Sequence, residues 1–208
     1  MGHGHHHHHH HAEIDNKKLV WAIIINVILT FFQVIGGIVS GSLSLLADAL
    51  HNFSDAGALV IAAVAARIAK IPANQTMTYG YRRAEIIGAL INSTALIVIG
   101  IYLMYESINR YNEQSPIDGW VVVIVAGLAL VIDLATAFLT YSGSKNSINI
   151  KAAFVHNLTD AMASVVVIIS GALIILYEVY IVDLVATAII SIYVLFHAVQ
   201  IIKQCIKI

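Results

Sequence analysis

The sequence predicts an all-α membrane protein with six transmembrane helices and both termini on the cytoplasmic side. Three observations predict it. The 208 residues are 59% hydrophobic and 11% charged, with a mean hydropathy of +0.85, whereas a soluble domain carries roughly 25% charged residues. Six stretches each approach the ~20 apolar residues needed to cross a ~30 Å hydrocarbon core at ~1.5 Å per residue. Lysine and arginine fall almost wholly on one side of those stretches, as the positive-inside rule requires. The composition also excludes a disordered tail protein, and a formal charge of −1 without an extended basic cluster excludes a nucleic-acid binder. The single cysteine, Cys205, excludes an intrachain disulfide framework and a zinc site built from several cysteines.

The elements follow in order. His3 and the run His5–His11 stand ahead of the spans. Residues 1–18 read either as an affinity tag, set aside from fold reasoning, or as a histidine-rich cytoplasmic tail that gathers metal ions. The first apolar run is too long for a cleavable signal peptide and lacks a small-residue cleavage pattern. The spans are Leu19–Val39, Leu43–Ala66, Ala84–Met104, Gly119–Ser142, Ala152–Tyr177 and Val182–Ile202. Ser40-Gly41-Ser42 makes a tight turn between the first two. The longest connection runs from Arg67 to Arg83 and holds Pro72 and Asn74. Residues 19–208 are therefore expected to form one transmembrane domain, with no C-terminal cytoplasmic domain. With the N-terminus inside, Lys17, Lys18, Arg67, Lys70, Arg82, Arg83, Lys145, Lys151, Lys203 and Lys207 lie inside, against Arg110 alone outside. The outer loops carry Glu106, Glu113, Asp118, Glu178 and Asp183 near their ends.

Ionisable residues inside spans are the informative ones, because a central Asp costs roughly 2.5–3.5 kcal/mol on insertion. The second span holds Asp48, His51 and Asp55; the fourth, Asp133; the fifth, His156 and Asp160. His51-Asn52-Phe53-Ser54-Asp55-Ala56 and His156-Asn157-Leu158-Thr159-Asp160-Ala161 repeat one pattern, His-Asn-apolar-hydroxyl-Asp-Ala, at an offset of 105 residues. Residues i and i+4 share a helix face, so each helix presents an imidazole beside a carboxylate, and Asp48 shares the face of His51. The second and fifth spans run in opposite directions. Packed together, they set His51 level with Asp160 and Asp55 level with His156.

Two nitrogens and two oxygens converging in mid-membrane suit tetrahedral Zn²⁺. Two carboxylates neutralise one dication, which reduces the cost of holding it away from water. No thiolate is available in the spans, and Mg²⁺ and Ca²⁺ favour all-oxygen shells; Co²⁺, Ni²⁺, Fe²⁺, Mn²⁺ and Cd²⁺ remain compatible. A lone histidine in an apolar helix is more often a hydrogen-bonded packing residue, but an interhelical hydrogen bond contributes only about 0.6 kcal/mol in membranes, and the whole pattern occurs twice. Asp48 and Asp133 read as ligand-orienting or proton-relay groups, or as packing residues. His197, near the inner end of the last span, reads as packing or interfacial. Gly36-Gly37, Gly88 and Gly100 read as sites of close helix approach.

Six spans with His-x-x-x-Asp in the second and fifth resemble the cation diffusion facilitator family of zinc-exporting membrane proteins. Ser44-Leu45-Leu46-Ala47-Asp48-Ala49-Leu50-His51, Tyr79-Gly80-Tyr81-Arg82-Arg83-Ala84-Glu85 and Asn149-Ile150-Lys151-Ala152-Ala153 are similar to that family's approaches to its second, third and fifth spans. The resemblance implies metal/proton antiport by alternating access, usually as a homodimer, with His51, Asp55, His156 and Asp160 as the transport site. It implies that His51 favours zinc over cadmium, and that the third and sixth spans form a scaffold or dimer face. Two departures stand out. The family usually carries a C-terminal cytoplasmic domain, whereas this sequence ends at Ile208, which puts dimer stability and cytosolic metal sensing in doubt. Ile71–Thr78 lacks the Asp/His site that some members carry there, so one site per chain is expected apart from the histidine run.

The function expected from the sequence is thus secondary export of Zn²⁺ from the cytoplasm in exchange for protons, across a lipid bilayer, most simply a bacterial inner membrane, with an organelle membrane as the alternative. His titrates near neutral pH, so proton and metal compete for one nitrogen. Two rivals are an intramembrane zinc-dependent hydrolase, with Asp48 or Asp133 as base, and a zinc-stapled structural membrane protein. The first is disfavoured because four protein ligands close the shell and no His-Glu-x-x-His motif occurs.

Overall fold

The computed structural model describes residues 16–69, 71, 83–112, 115–144 and 148–206. They form six helices: α1 (Asn16–Ser40), α2 (Leu43–Ala69), α3 (Ala84–Asn109), α4 (Gly119–Ser144), α5 (Ile148–Tyr177) and α6 (Ile181–Ile206). Each of the six expected spans corresponds to one of these helices. The helices α3 to α6 are each long and apolar enough to cross a membrane, and α1 is apolar over Ile24–Ser40. The 27 residues of α2 extend about 40 Å, and their apolar run is interrupted by Asp48, His51 and Asp55. The histidine run, the basic residues Lys70, Arg82, Lys145 and Lys207, residues 72–80 of the α2–α3 connection, and Glu113 lie outside the described residues.

Packing divides the bundle. Helix α5 packs most extensively on α4, and α3 on α6; α2 touches α1, α3, α5 and α6 and so joins the two groups. The core, around Leu43, Leu45, Ala47, Leu96, Leu103, Val122, Ala126 and Val167, lies mainly toward the end that holds the α1–α2 turn. Close approach there depends on small residues. A Cβ on Gly37 would stand 3.0 Å from the backbone nitrogen of Leu46, and one on Gly100 would stand 2.9 Å from the Leu195 side chain. The reading of both as packing glycines agrees with this. The Ser40-Gly41-Ser42 turn forms with Gly41 at φ +75°, a left-handed conformation that glycine adopts without steric cost.

This end is cross-tied by polar groups. The carboxylate of Asp183, at the start of α6, is fully buried. It accepts hydrogen bonds from Ser42 Oγ (2.6 Å), Ser44 Oγ (2.6 Å), the backbone N–H of Leu43 (2.8 Å) and that of Ser44 (3.3 Å). The first N–H groups of a helix have no partner inside it. Here a residue from a different helix satisfies those of α2, and its charge opposes the positive end of the α2 dipole. Sequence placed Asp183 near the end of an outer loop, and the structure adds that it is an internal cap. Arg110 adds a bond to Gly41 O at 3.1 Å, and Asp118 donates its N–H to Ser40 O at 3.0 Å.

Candidate metal centre

Helices α2 and α5 bring the four repeated residues together. His51 Nε2 lies 3.4 Å from Asp55 Oδ2 and 3.7 Å from Asp160 Oδ1. His156 Nε2 lies 3.6 Å from Asp55 Oδ2 and 3.4 Å from Asp160 Oδ2. Nitrogens and oxygens therefore alternate around a ring, each imidazole facing its own i+4 carboxylate and the one on the opposite helix. Ligands at about 2.0–2.2 Å from a tetrahedral Zn²⁺ stand about 3.4 Å from one another, close to all four separations. His51, Asp55 and Asp160 hold ligand atoms within 4.8 Å of each other. His156 reaches the two carboxylates but stands farther from His51, with ring centroids 6.4 Å apart.

Hydrogen bonding leaves these groups available. Among the described residues, His51 Nδ1, His51 Nε2, Asp55 Oδ2 and Asp160 Oδ1 are buried without a hydrogen-bond partner. Buried polar atoms are ordinarily paired, so such a concentration points to a ligand that satisfies them together. The donor set fits a borderline dication. Exposure is graded: the side chains of His51 and Asp160 are 2% and 4% exposed, those of Asp55 and His156 22% and 42%. Asp55 lies farther along α2 than His51, and His156 comes before Asp160 on α5. The exposed pair thus lies nearer the bundle end that carries Arg67, Arg83, Lys151 and Lys203.

Asp48 and Asp133 do not hydrogen-bond to the quartet. Asp48 Oδ2 accepts from Gln33 Nε2 at 2.8 Å, and Gln33 Oε1 accepts from Asn52 Nδ2 at 3.2 Å. Ser164 Oγ lies 3.4 Å from Asp48 Oδ2 and 3.4 Å from Asp133 Oδ2, linking α2, α5 and α4. Asp48 Oδ1 has no partner among the described residues. Gln33 and Ser164, both completely buried, were not singled out by the sequence; the available signal for Gln33 was an amide in the middle of an apolar run. Ser54 Oγ, in the repeated pattern, bonds Asn92 Oδ1 on α3 at 3.1 Å. Tyr193 and His197 of α6 also approach His51, with ring centroids 5.8 and 6.5 Å away.

Residues 19–208 match the family model described as the cation efflux transmembrane domain. The chain belongs to the cation efflux family. It is similar over its whole length to the cadmium, cobalt and zinc/H(+)-K(+) antiporter of Bacillus subtilis (strain 168), with 35% identity over 213 residues. It is 38% identical over 178 residues, 85% of its length, to the zinc transporter ZitB of Pectobacterium atrosepticum. It is 35% identical over 175 residues, 84% of its length, to the metal cation efflux system protein CzcD of Cupriavidus metallidurans. The chain spans 66% of the Bacillus protein and 54% of each of the other two. With four helices long and apolar enough to cross a membrane among the described residues, this cation efflux chain is an integral membrane protein.

Proposed function

We propose that the chain carries a divalent cation, Zn²⁺ foremost, out of the cytoplasm in exchange for protons. The carrying observation is the ring of alternating nitrogens and carboxylate oxygens at 3.4–3.7 Å. His51, Asp55, His156 and Asp160 take the ion, and the two carboxylates cancel its charge within the bilayer. Access runs from the basic end, which the positive-inside rule puts in the cytoplasm. In this conformation the Asp183 cap and the apolar core close the other end. Protons arriving from outside compete for the imidazoles and release the metal; alternating access presents one site to each side in turn. Asp48, Ser164 and Asp133 extend from the site as a proton relay.

The relatives support this reading: they are named transporters, efflux proteins and antiporters, and the hydrolase alternative finds no support among them. A bacterial inner membrane and a homodimer complete the proposal, the latter checked by crosslinking in membranes. The deciding experiment is zinc uptake into inside-out vesicles under an imposed pH gradient. Uptake is expected in the intact chain and lost in Asp55→Ala and Asp160→Ala. Undiminished uptake in either variant refutes the assignment.

A further inference from the structure

A third imidazole, which the repeated pattern does not supply, approaches the site from α6. His197, on α6, has its ring centroid 6.5 Å from that of His51. His156, the expected fellow ligand, is 6.4 Å from His51. By this measure the two histidines stand equally near. A metal–nitrogen bond of about 2.0–2.1 Å puts an imidazole centroid about 3.2 Å from the ion. Two imidazoles on one tetrahedral ion then lie about 5.2 Å apart, so either ring needs a movement of about 1 Å to share an ion with His51. That is within the reach of a side-chain adjustment.

The setting of His197 favours a ligand. Its ring stacks on Tyr193, with centroids 6.3 Å apart and planes inclined by 22°. Tyr193 meets His51 edge-on at 5.8 Å and 86°. One aromatic ring thus braces both imidazoles. His197 is half-buried, between the exposed His156 and the buried His51. It also lies toward the Lys203 end of α6, the same end as the more exposed pair Asp55 and His156.

We propose that His197 is a fifth metal ligand, which receives a borderline divalent cation at the more exposed side together with His156 and Asp55 and passes it to His51 and Asp160. The inference rests on the transport reading above and adds the path into the site. One imidazole replaces another during the transfer, so the ion changes partners without changing ligand type. An additional nitrogen donor also discriminates against Mg²⁺, Ca²⁺ and Mn²⁺, which favour oxygen.

The test is uptake of Zn²⁺, Mn²⁺ and Cd²⁺ into inside-out vesicles by the full chain, His197→Ala and His197→Cys. His197→Ala is expected to raise the KM for Zn²⁺ about tenfold, keep kcat within about twofold, and reduce the preference for Zn²⁺ over Mn²⁺. His197→Cys, which replaces the nitrogen by a soft sulfur, is expected to shift preference from Zn²⁺ toward Cd²⁺. That gain is one a packing role would not produce, and it decides the matter if the alanine variant fails to fold. Unchanged KM and metal preference in both variants, with Asp55→Ala inactive, overturn the role of His197 and leave the transport reading intact. No uptake by the unaltered chain overturns both.

Discussion

Replacing Asp183 tests whether the closed end of the bundle is held by the cross-helix cap. In Asp183→Ala the Leu43 and Ser44 N–H groups lose the acceptors that stand at 2.8 and 3.3 Å. The Ser42 and Ser44 hydroxyls, 3.2 Å apart, can still bond each other. Two buried N–H groups left unpaired at about 1–3 kcal/mol each amount to a loss of about 2–6 kcal/mol. Asp183→Asn keeps one acceptor oxygen and is expected to lose about half as much. Equilibrium unfolding of the detergent-solubilised chain, followed by helical circular dichroism against denaturant, measures both. A change below about 1 kcal/mol in Asp183→Ala, or equal losses in the two variants, refutes the capping argument.

Other expectations concern the site and the packing. Asp55→Ala and Asp160→Ala are each expected to lower zinc uptake at least about 100-fold, beyond the 10–100-fold typical of residues that only orient a ligand. Asp48→Asn and Asp133→Asn are expected to leave zinc–zinc exchange in place while weakening uptake driven by a pH gradient. An equal fall in both modes speaks against the relay. Gly37→Val drives a branched side chain against the Leu46 backbone, 3.0 Å from the Cβ position, and is expected to cost about 1–3 kcal/mol. Gly127→Ala meets nothing within 4 Å and should unfold at a denaturant concentration close to that of the unaltered chain.

The six helices were legible because the bilayer imposes a length and an apolar composition on each span. Their ends were less so. Helix α5 begins at Ile148 and α2 continues to Ala69, several residues beyond the expected Ala152 and Ala66, because a helix need not stop where its apolar run does. The pairing of His51 with Asp55 and of His156 with Asp160 is local helix periodicity, and their convergence follows from two oppositely directed helices carrying the same pattern. His197 and Asp183 could not be read in the same way. Each acquires its surroundings from contact between α6 and α2, and neither belongs to the repeated pattern. Gln33 and Ser164 likewise have meaning only once α1, α2, α4 and α5 are packed.

The cap on α2 constrains the order in which the chain can mature. Ser42 and Asp183 are separated by 141 positions, so the carboxylate that completes the second span is synthesised after the first five helices. Until then, a nascent segment carrying Asp48 and Asp55 has uncapped amides at one end and polar side chains in its middle. Such a segment is poorly retained in hydrocarbon by itself. Final seating of the second span therefore awaits emergence of the sixth helix, making damage to that helix a biogenesis defect as well as a functional one.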